Sequence, residues 1–360
     1  MLDRTNAHPP SPPVEGHSAV RYDGTSYYGM PALKPSPWSW KVTLYMAIAG
    51  TSGGAQVIAS VVRAGGGRDM RGVVRAGRTI GLAGTLVGAP LLIMDLKTPH
   101  RWYNMLRIFR HTSPLSIGSF VLTGFGAFSA ATAAGAWAPD GTRWGRAVGA
   151  VADLAQGPAA VTGALMTTYT ASLLSGTSTP LWASATQSIA VQFASSGIAS
   201  GAAALSLVER AAGRARSADR LDRLAFLATA TGLAASMLSK RRYREEKVDA
   251  VLSRTPEGRL DTAAKVVGYG VPLACHALNA LARRPSLALS MIAAMGTLAG
   301  GFMMRHAIKQ AGDATAIWPT DYLGFAQPRR LPPAERPQAL PLRRSGKPVA
   351  RAIMPDDRHA

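Results

Sequence analysis

The chain has 360 residues, 47% of them hydrophobic and only 17% charged, yet its formal net charge is +20. In a soluble protein such an excess of Lys and Arg would suggest nucleic acid. Here the basic residues sit in blocks (63–78, 97–110, 210–223, 240–259 and 329–351) separated by nearly charge-free runs, and no nucleic-acid partner is expected.

The first 40 residues are polar, rich in Pro and Ser, and without the apolar core of a cleavable signal. They read as an N-terminal tail (1–40). Eight apolar runs follow, roughly 42–62, 79–96, 115–137, 147–174, 183–208, 221–239, 263–282 and 286–304. Each is close to the length of about 20 residues that crosses a bilayer. The expected fold is therefore an all-α integral membrane protein, a bundle of eight transmembrane helices spanning 41–312. Gly50/Gly54, Gly77/Gly81, Gly84/Gly88, Gly197/Gly201 and Gly296/Gly300 share the four-residue spacing that lets helices approach closely in lipid. Residues 313–360 are Pro- and Arg-rich and read as a disordered tail lying on an acidic partner, on membrane lipid or in solvent.

An even number of spans puts both termini on one face, side A. Of the 40 Lys and Arg, 26 fall on side A and 14 on side B, whereas the loops without the tails carry 12 against 14. The total favours side A in the cytoplasm of a plasma-membrane protein, but the positive-inside rule weighs short loops most and gives little preference.

Between runs two and three the sequence reads LLIMDLKTPHRWYNMLRIFRHTSPLSIGS (91–119). Trp102, Leu106 and Phe109 fall at helical spacing, with Arg101, Arg107 and Arg110 directed elsewhere. The pattern predicts a short interfacial helix on side A. Asp95 closes the second run and is expected to pair with Arg101 or Lys97. Two further polar pairings are expected within runs: Asp153, whose other reading is a proton path, with Arg146, and inter-helix hydrogen bonds from Gln56, Gln187 and Gln192.

The same segment carries Asp95, Leu96, Pro99, Arg101, Asn104, Met105, Leu106, Arg107, Ser113, Pro114, Leu115, Ser116 and Gly118 in the pattern D-L-x-x-P-x-R-x-x-N-M-L-R-x-x-x-x-x-S-P-L-S-x-G. This resembles the NrfD/PsrC family, the membrane subunits of polysulfide-reductase-like molybdoenzyme complexes. YYGMPALKPSPW (27–38), YTASLLSGTSTPLW (169–182), SSGIASGAAAL (195–205) and GGFMMRHAIKQAG (300–312) resemble other parts of that family in the right order. The likeness covers about 25–312. Leu115 stands where the family has Met, and Ala171 where it has Gly, crowding the space beside Tyr169.

The resemblance implies an anchor without a redox centre of its own. Such a subunit docks an iron–sulfur (ferredoxin-like) chain, itself attached to a molybdopterin catalytic chain, and exchanges electrons with menaquinone or ubiquinone. Alone it completes no reaction. Haem b is not expected: of seven histidines, His8, His17, His100, His111 and His359 lie in tails or loops, leaving His276 and His306.

A quinone site needs an apolar slot, donors to two carbonyl oxygens and a protonatable group near water. Tyr45, Asp95, Tyr169 and Arg305 are placed at side A by the order of the runs, and His276 lies inside the seventh run; these are the candidates for quinone binding or proton relay. Each also has a plainer reading. The tyrosines could belong to the aromatic belt, Arg305 could snorkel to the interface, and His276 with Asn279 could join helices. Arg101, Trp102, Asn104, Arg107 and Arg110 are the candidates for partner docking. Two other functions remain open from sequence, an anchor that docks a redox partner without binding quinone and, more distantly, a secondary transporter, for which no internal repeat is visible.

Overall fold

A computed structural model describes residues 33–65, 70–139, 141–282, 286–318, 321 and 325. Most of both predicted tails therefore lies outside the described residues. Among these residues there is no strand. The long helices are α1 (Trp40–Gly65), α2 (Arg71–Ile93), α3 (Pro114–Trp137) and α4 (Arg143–Ser175). A short α5 (Pro180–Ser184) precedes α6 (Thr186–Ala211) and α7 (Ala215–Glu245). Then come α8 (Ala250–Arg254), α9 (Pro256–Lys265), α10 (Val271–Leu281) and α11 (Leu287–Ile317).

Six of these, α1, α2, α3, α6, α7 and α11, are long and apolar enough to cross a membrane. Of the other two predicted runs, one falls on α4. The second is divided between α9, a single π-helical turn at Val266–Gly270 and α10. Large apolar side chains point outward along the bundle, among them Leu86, Leu154, Leu227 and Leu281. In water that surface would be a liability, and in lipid it is the required exterior.

Helix ends follow local chemistry. Ser113 and Thr142 accept hydrogen bonds from the Ser116 and Gly145 amides, capping α3 and α4, with Pro114 at the first position of α3. Asn279 staples the turn into α11: its Nδ2 donates to Ser290 Oγ at 2.9 Å and its Oδ1 accepts from the Ser286 amide at 2.8 Å. Asn279 thus serves helix joining as one sequence reading anticipated, but without His276.

The predicted glycine pairs lie at helix contacts. A Cβ on Gly54 of α1 would stand 2.2 Å from the Gly197 carbonyl oxygen of α6, and one on Gly201 would stand 2.5 Å from the Ala55 nitrogen. On the other flank a Cβ on Gly300 of α11 would stand 2.0 Å from the Gly268 Cα of the π turn. With no hydrophobic force to press helices together in lipid, such backbone approach supplies the packing. Gln56 of α1 donates to Thr132 of α3 at 3.3 Å, and Gln192 of α6 to Ser239 of α7 at 2.5 Å, as expected. Gln187 instead is exposed.

The eighth run is longer than its apolar core suggested. α11 continues to Ile317, five residues into the stretch read as tail. Its last turns are held by the Lys309–Asp313 ion pair at 2.8 Å. Asp313 also accepts from the backbone and side chain of Ser36 at 2.7 and 3.1 Å. The segment before α1 is tied down again where Trp38 stacks on Trp182 at 6.2 Å. Charged side chains that pair across segments escape a reading based on hydropathy alone.

Gly54→Ala should push α1 from α6 and lower the thermal midpoint in detergent, by about 1–3 kcal/mol of stability. Gly157→Ala, where nothing lies within 4 Å of the added carbon, should leave the midpoint unchanged or raise it. Equal midpoints for the two variants would contradict the crossing.

Candidate functional site

Three of the four polar residues expected to gather at side A do meet. A cavity of about 290 Å³ opens between the starts of α1 and α3 and the ends of α2 and α4. Tyr45, Asp95 and Tyr169 line it with Trp38, Lys97 and Met105. Tyr45 is 4% exposed and its ring packs over Gly88 of α2. Its hydroxyl makes no hydrogen bond among the described residues. Tyr169 donates to the Pro114 carbonyl at 2.9 Å. That position depends on Gly118, where a Cβ would fall 1.8 Å from the Tyr169 Cζ. Ala171 is fully buried and is not among the lining residues, so it does not crowd this space.

Asp95 makes a different contact from the one expected. Among the described residues it forms no ion pair with Arg101 or Lys97. It accepts a short hydrogen bond from Ser39 Oγ, just before α1. The carboxylate therefore joins the end of α2 to the start of α1 while its surface faces the cavity. Ser39, Trp38 and Met105 are the members of the site that sequence reading did not single out as a site. The positions of Trp38 in the 27–38 motif and of Met105 in the motif that begins at Asp95 hinted at two of them.

The segment after Asp95 forms a helix, of a tighter kind than expected. Pro99–Leu106 is a 3₁₀ helix interrupted at Arg101 (φ −104°, ψ 15°), and it ends before Phe109. The three-residue face of Trp102, Leu106 and Phe109 is thus broken, and Phe109 packs edge-on against Phe120 of α3 at 5.2 Å. A Pro at the start and poor i, i+4 continuity account for the tighter winding. Arg101, Trp102, Asn104, Arg107 and Arg110 are all exposed, and the three arginines form no ion pair among the described residues.

Arg305 does not snorkel, and it does not join the cavity. It is 1% exposed, inside the bundle between α1, α6 and α11. Its Nη1 donates to Ser196 Oγ at 3.0 Å and the Gly301 carbonyl at 2.8 Å, and its Nη2 to the Phe193 carbonyl at 3.2 Å. The guanidinium lies over the Phe193 ring, 5.0 Å from its centroid, and a Cβ on Gly50 would come within 2.5 Å of Nη2. Small residues on three helices make the room. α11 runs twelve residues beyond Arg305, about 18 Å, so the arginine lies well inside the helix rather than at its end.

Asp153 also departs from expectation. It binds Arg63 of α1 at 2.7 Å and Arg78 of α2 at 3.0 Å, with no ion pair to Arg146. Arg78 reaches Gln156 at 2.7 Å as well. The cluster clamps three helices at side B, an arrangement that i, i+7 reasoning on α4 alone could not reveal.

His276 lies at the opposite end from Tyr45. It lines a second cavity of about 540 Å³ at side B with Arg210, Asp222, Arg223, Phe226 and Leu227. It is 8% exposed, meets Phe226 edge-on at 6.4 Å and has no hydrogen-bond partner for Nε2. No group of three or more His, Cys, Asp or Glu arranged to hold a metal ion occurs among the described residues.

Arg305→Lys should destabilise the protein more than Arg305→Met. Lysine keeps the buried charge but cannot reach all three acceptors, whereas methionine removes the charge. Thermal midpoints in detergent measure the difference, expected at about 1–3 kcal/mol. A lysine variant as stable as the original would contradict the three-acceptor clamp.

No curated protein matches the chain. The family model described as "Polysulphide reductase, NrfD" matches residues 30–316, a span that contains every helix from α1 to α10 and nearly all of α11. The chain belongs to the NrfD family of polysulphide-reductase membrane proteins.

Proposed function

We propose that the chain is the quinone-reactive anchor of a multi-subunit oxidoreductase, with the head-group site in the cavity lined by Tyr45, Asp95 and Tyr169. The family itself is one of multi-pass membrane subunits of molybdoenzyme-type redox complexes. In this reading α4 and the compound helix of α9, the π turn and α10 complete eight spans, both termini lie on the cytoplasmic side of the plasma membrane, and the Pro99–Leu106 helix rests at the interface. The observation that carries the reading is the free hydroxyl of Tyr45 in a largely apolar cavity beside a carboxylate.

A quinone takes up two electrons and two protons on reduction and gives them back on oxidation. The volume, about 290 Å³, suits one ring, with the isoprenoid tail left in lipid. Tyr45 donates to one ring oxygen. Tyr169, whose proton goes to the Pro114 carbonyl, accepts a hydrogen bond from a hydroxyl of the reduced ring and keeps that ring in register. Asp95 exchanges a proton with the ring oxygen nearest it and with water at side A, while Ser39 fixes the carboxylate's orientation.

The exposed arginines 101, 107 and 110 suit an acidic docking face on an iron–sulfur (ferredoxin-like) subunit, itself attached to a molybdopterin catalytic subunit. Electrons would pass between that subunit's cluster and menaquinone or ubiquinone. Neither haem nor an iron–sulfur cluster is proposed for this chain.

Two sets of variants test this. In the purified complex, Tyr169→Phe should raise the KM for quinol about fivefold to tenfold, the loss of one hydrogen bond. Asp95→Asn should lower kcat about 100-fold while leaving quinone retention near normal. Unchanged kinetics in both would exclude this cavity. Replacing Arg101, Arg107 and Arg110 together by Glu should weaken capture of the cluster subunit in a salt-sensitive way; full capture at all salt concentrations would exclude the docking face.

A further inference from the structure

The side B cavity lies where α6 ends, α7 begins and α10 turns into α11. Its inner wall is Phe226, Leu227, Ala277 and Ala280, with His276 among them. Its outer rim is charged. Arg210 binds Asp219 at 3.0 Å and Asp222 at 2.5 Å, and Asp222 also accepts from Ser206 at 2.5 Å. Arg214 is likewise occupied by Glu209 at 2.6 Å. Those pairs use up the acidic residues of the rim.

Three arginines are left over. Arg216, Arg220 and Arg223 fall at i, i+4 and i+7 of α7, on one stripe of the helix, and all are exposed. None forms an ion pair or hydrogen bond among the described residues. They occupy the first three turns of α7, and Arg216, in the first, also meets the positive end of the helix dipole, which disfavours a cation. The next residue on the stripe is Leu227, 62% exposed and part of the cavity wall. The stripe thus runs from an excess of positive charge, five arginines (210, 214, 216, 220 and 223) against Glu209, Asp219 and Asp222, directly into an apolar crevice.

We propose that this stripe and crevice bind an anionic glycerophospholipid. Its phosphate bridges the arginines, and one acyl chain lies along Leu227, Ala277 and Ala280. An ester oxygen at the head of that chain accepts a hydrogen bond from His276, whose Nε2 has no hydrogen-bond partner among the described residues. A zwitterionic lipid adds an ammonium group beside the arginines and loses most of the electrostatic gain. The inference rests on side B alone and does not depend on where quinone binds.

The test uses the whole complex, placed in bilayers of phosphatidylcholine with or without phosphatidylglycerol, then released and weighed intact by mass spectrometry to count retained lipid. The original chain should retain phosphatidylglycerol in preference to phosphatidylcholine. Arg220→Gln and Arg223→Gln should each weaken that retention about fivefold, corresponding to about 1 kcal/mol per arginine. The Lys variants at the same positions should keep most of it, which separates charge from misfolding. His276→Phe should reduce retention while preserving the preference. Equal retention of the two lipids, or an undiminished preference in the Arg220→Gln/Arg223→Gln double variant, would overturn the proposal. Displacement of the lipid by inorganic phosphate alone would reduce it to a small-anion site. A prenylquinone retained here and lost in His276→Phe would replace it with a second quinone site.

Discussion

The close crossing of α1 and α6, backbone against backbone at Gly54 and Gly197, is the constraint from which the other features hang. It makes α1 the central helix, packed against α2, α4, α6 and α11. Tyr45 projects from the side A end of that helix. Ser39, at its entry, holds Asp95, and the same crossing leaves the space beside Gly50 that Arg305 fills. Widening it would disturb the cavity floor and the buried guanidinium together.

Lipid offers no hydrogen-bond partners, so polar groups in such a bundle must be answered from within. Arg305 shows how far this can go. With no carboxylate paired to it among the described residues, the guanidinium is met by two backbone carbonyls, a serine and an aromatic face. Asp153 shows the converse, one carboxylate answered by two arginines from different helices. These clusters stiffen the bundle around both cavities. Small residues then provide closeness, and charged or amide side chains provide register.

Much of this could be read from the chain. The apolar runs mark every long helix, and the four-residue glycine spacing marks the tight contacts because only a missing side chain permits them. The conjunction of Tyr45, Asp95 and Tyr169 followed from counting which run ends share a face. What escaped was set by partners distant in sequence. Ser39 taking Asp95 from Arg101, Arg63 and Arg78 taking Asp153 from Arg146, and Asp313 taking Ser36 all join residues 56 to 277 positions apart. No local spacing rule reports such pairs. Arg305 was misplaced for another reason, since the polar last turns of α11 hid the helix's true length.

The two cavities face opposite ends of the bundle, one with free tyrosine and carboxylate chemistry and one approached by a stripe of arginines on α7. The account assigns quinone to the first. Its most direct test is photolabelling of the intact complex with an azido-quinone, followed by peptide mapping. Labels are expected on residues 37–46, 92–105, 115–119 or 169–173, with competition by unlabelled quinone. Competed labelling confined to 210–227 or 276–290, around the side B cavity, would contradict the assignment.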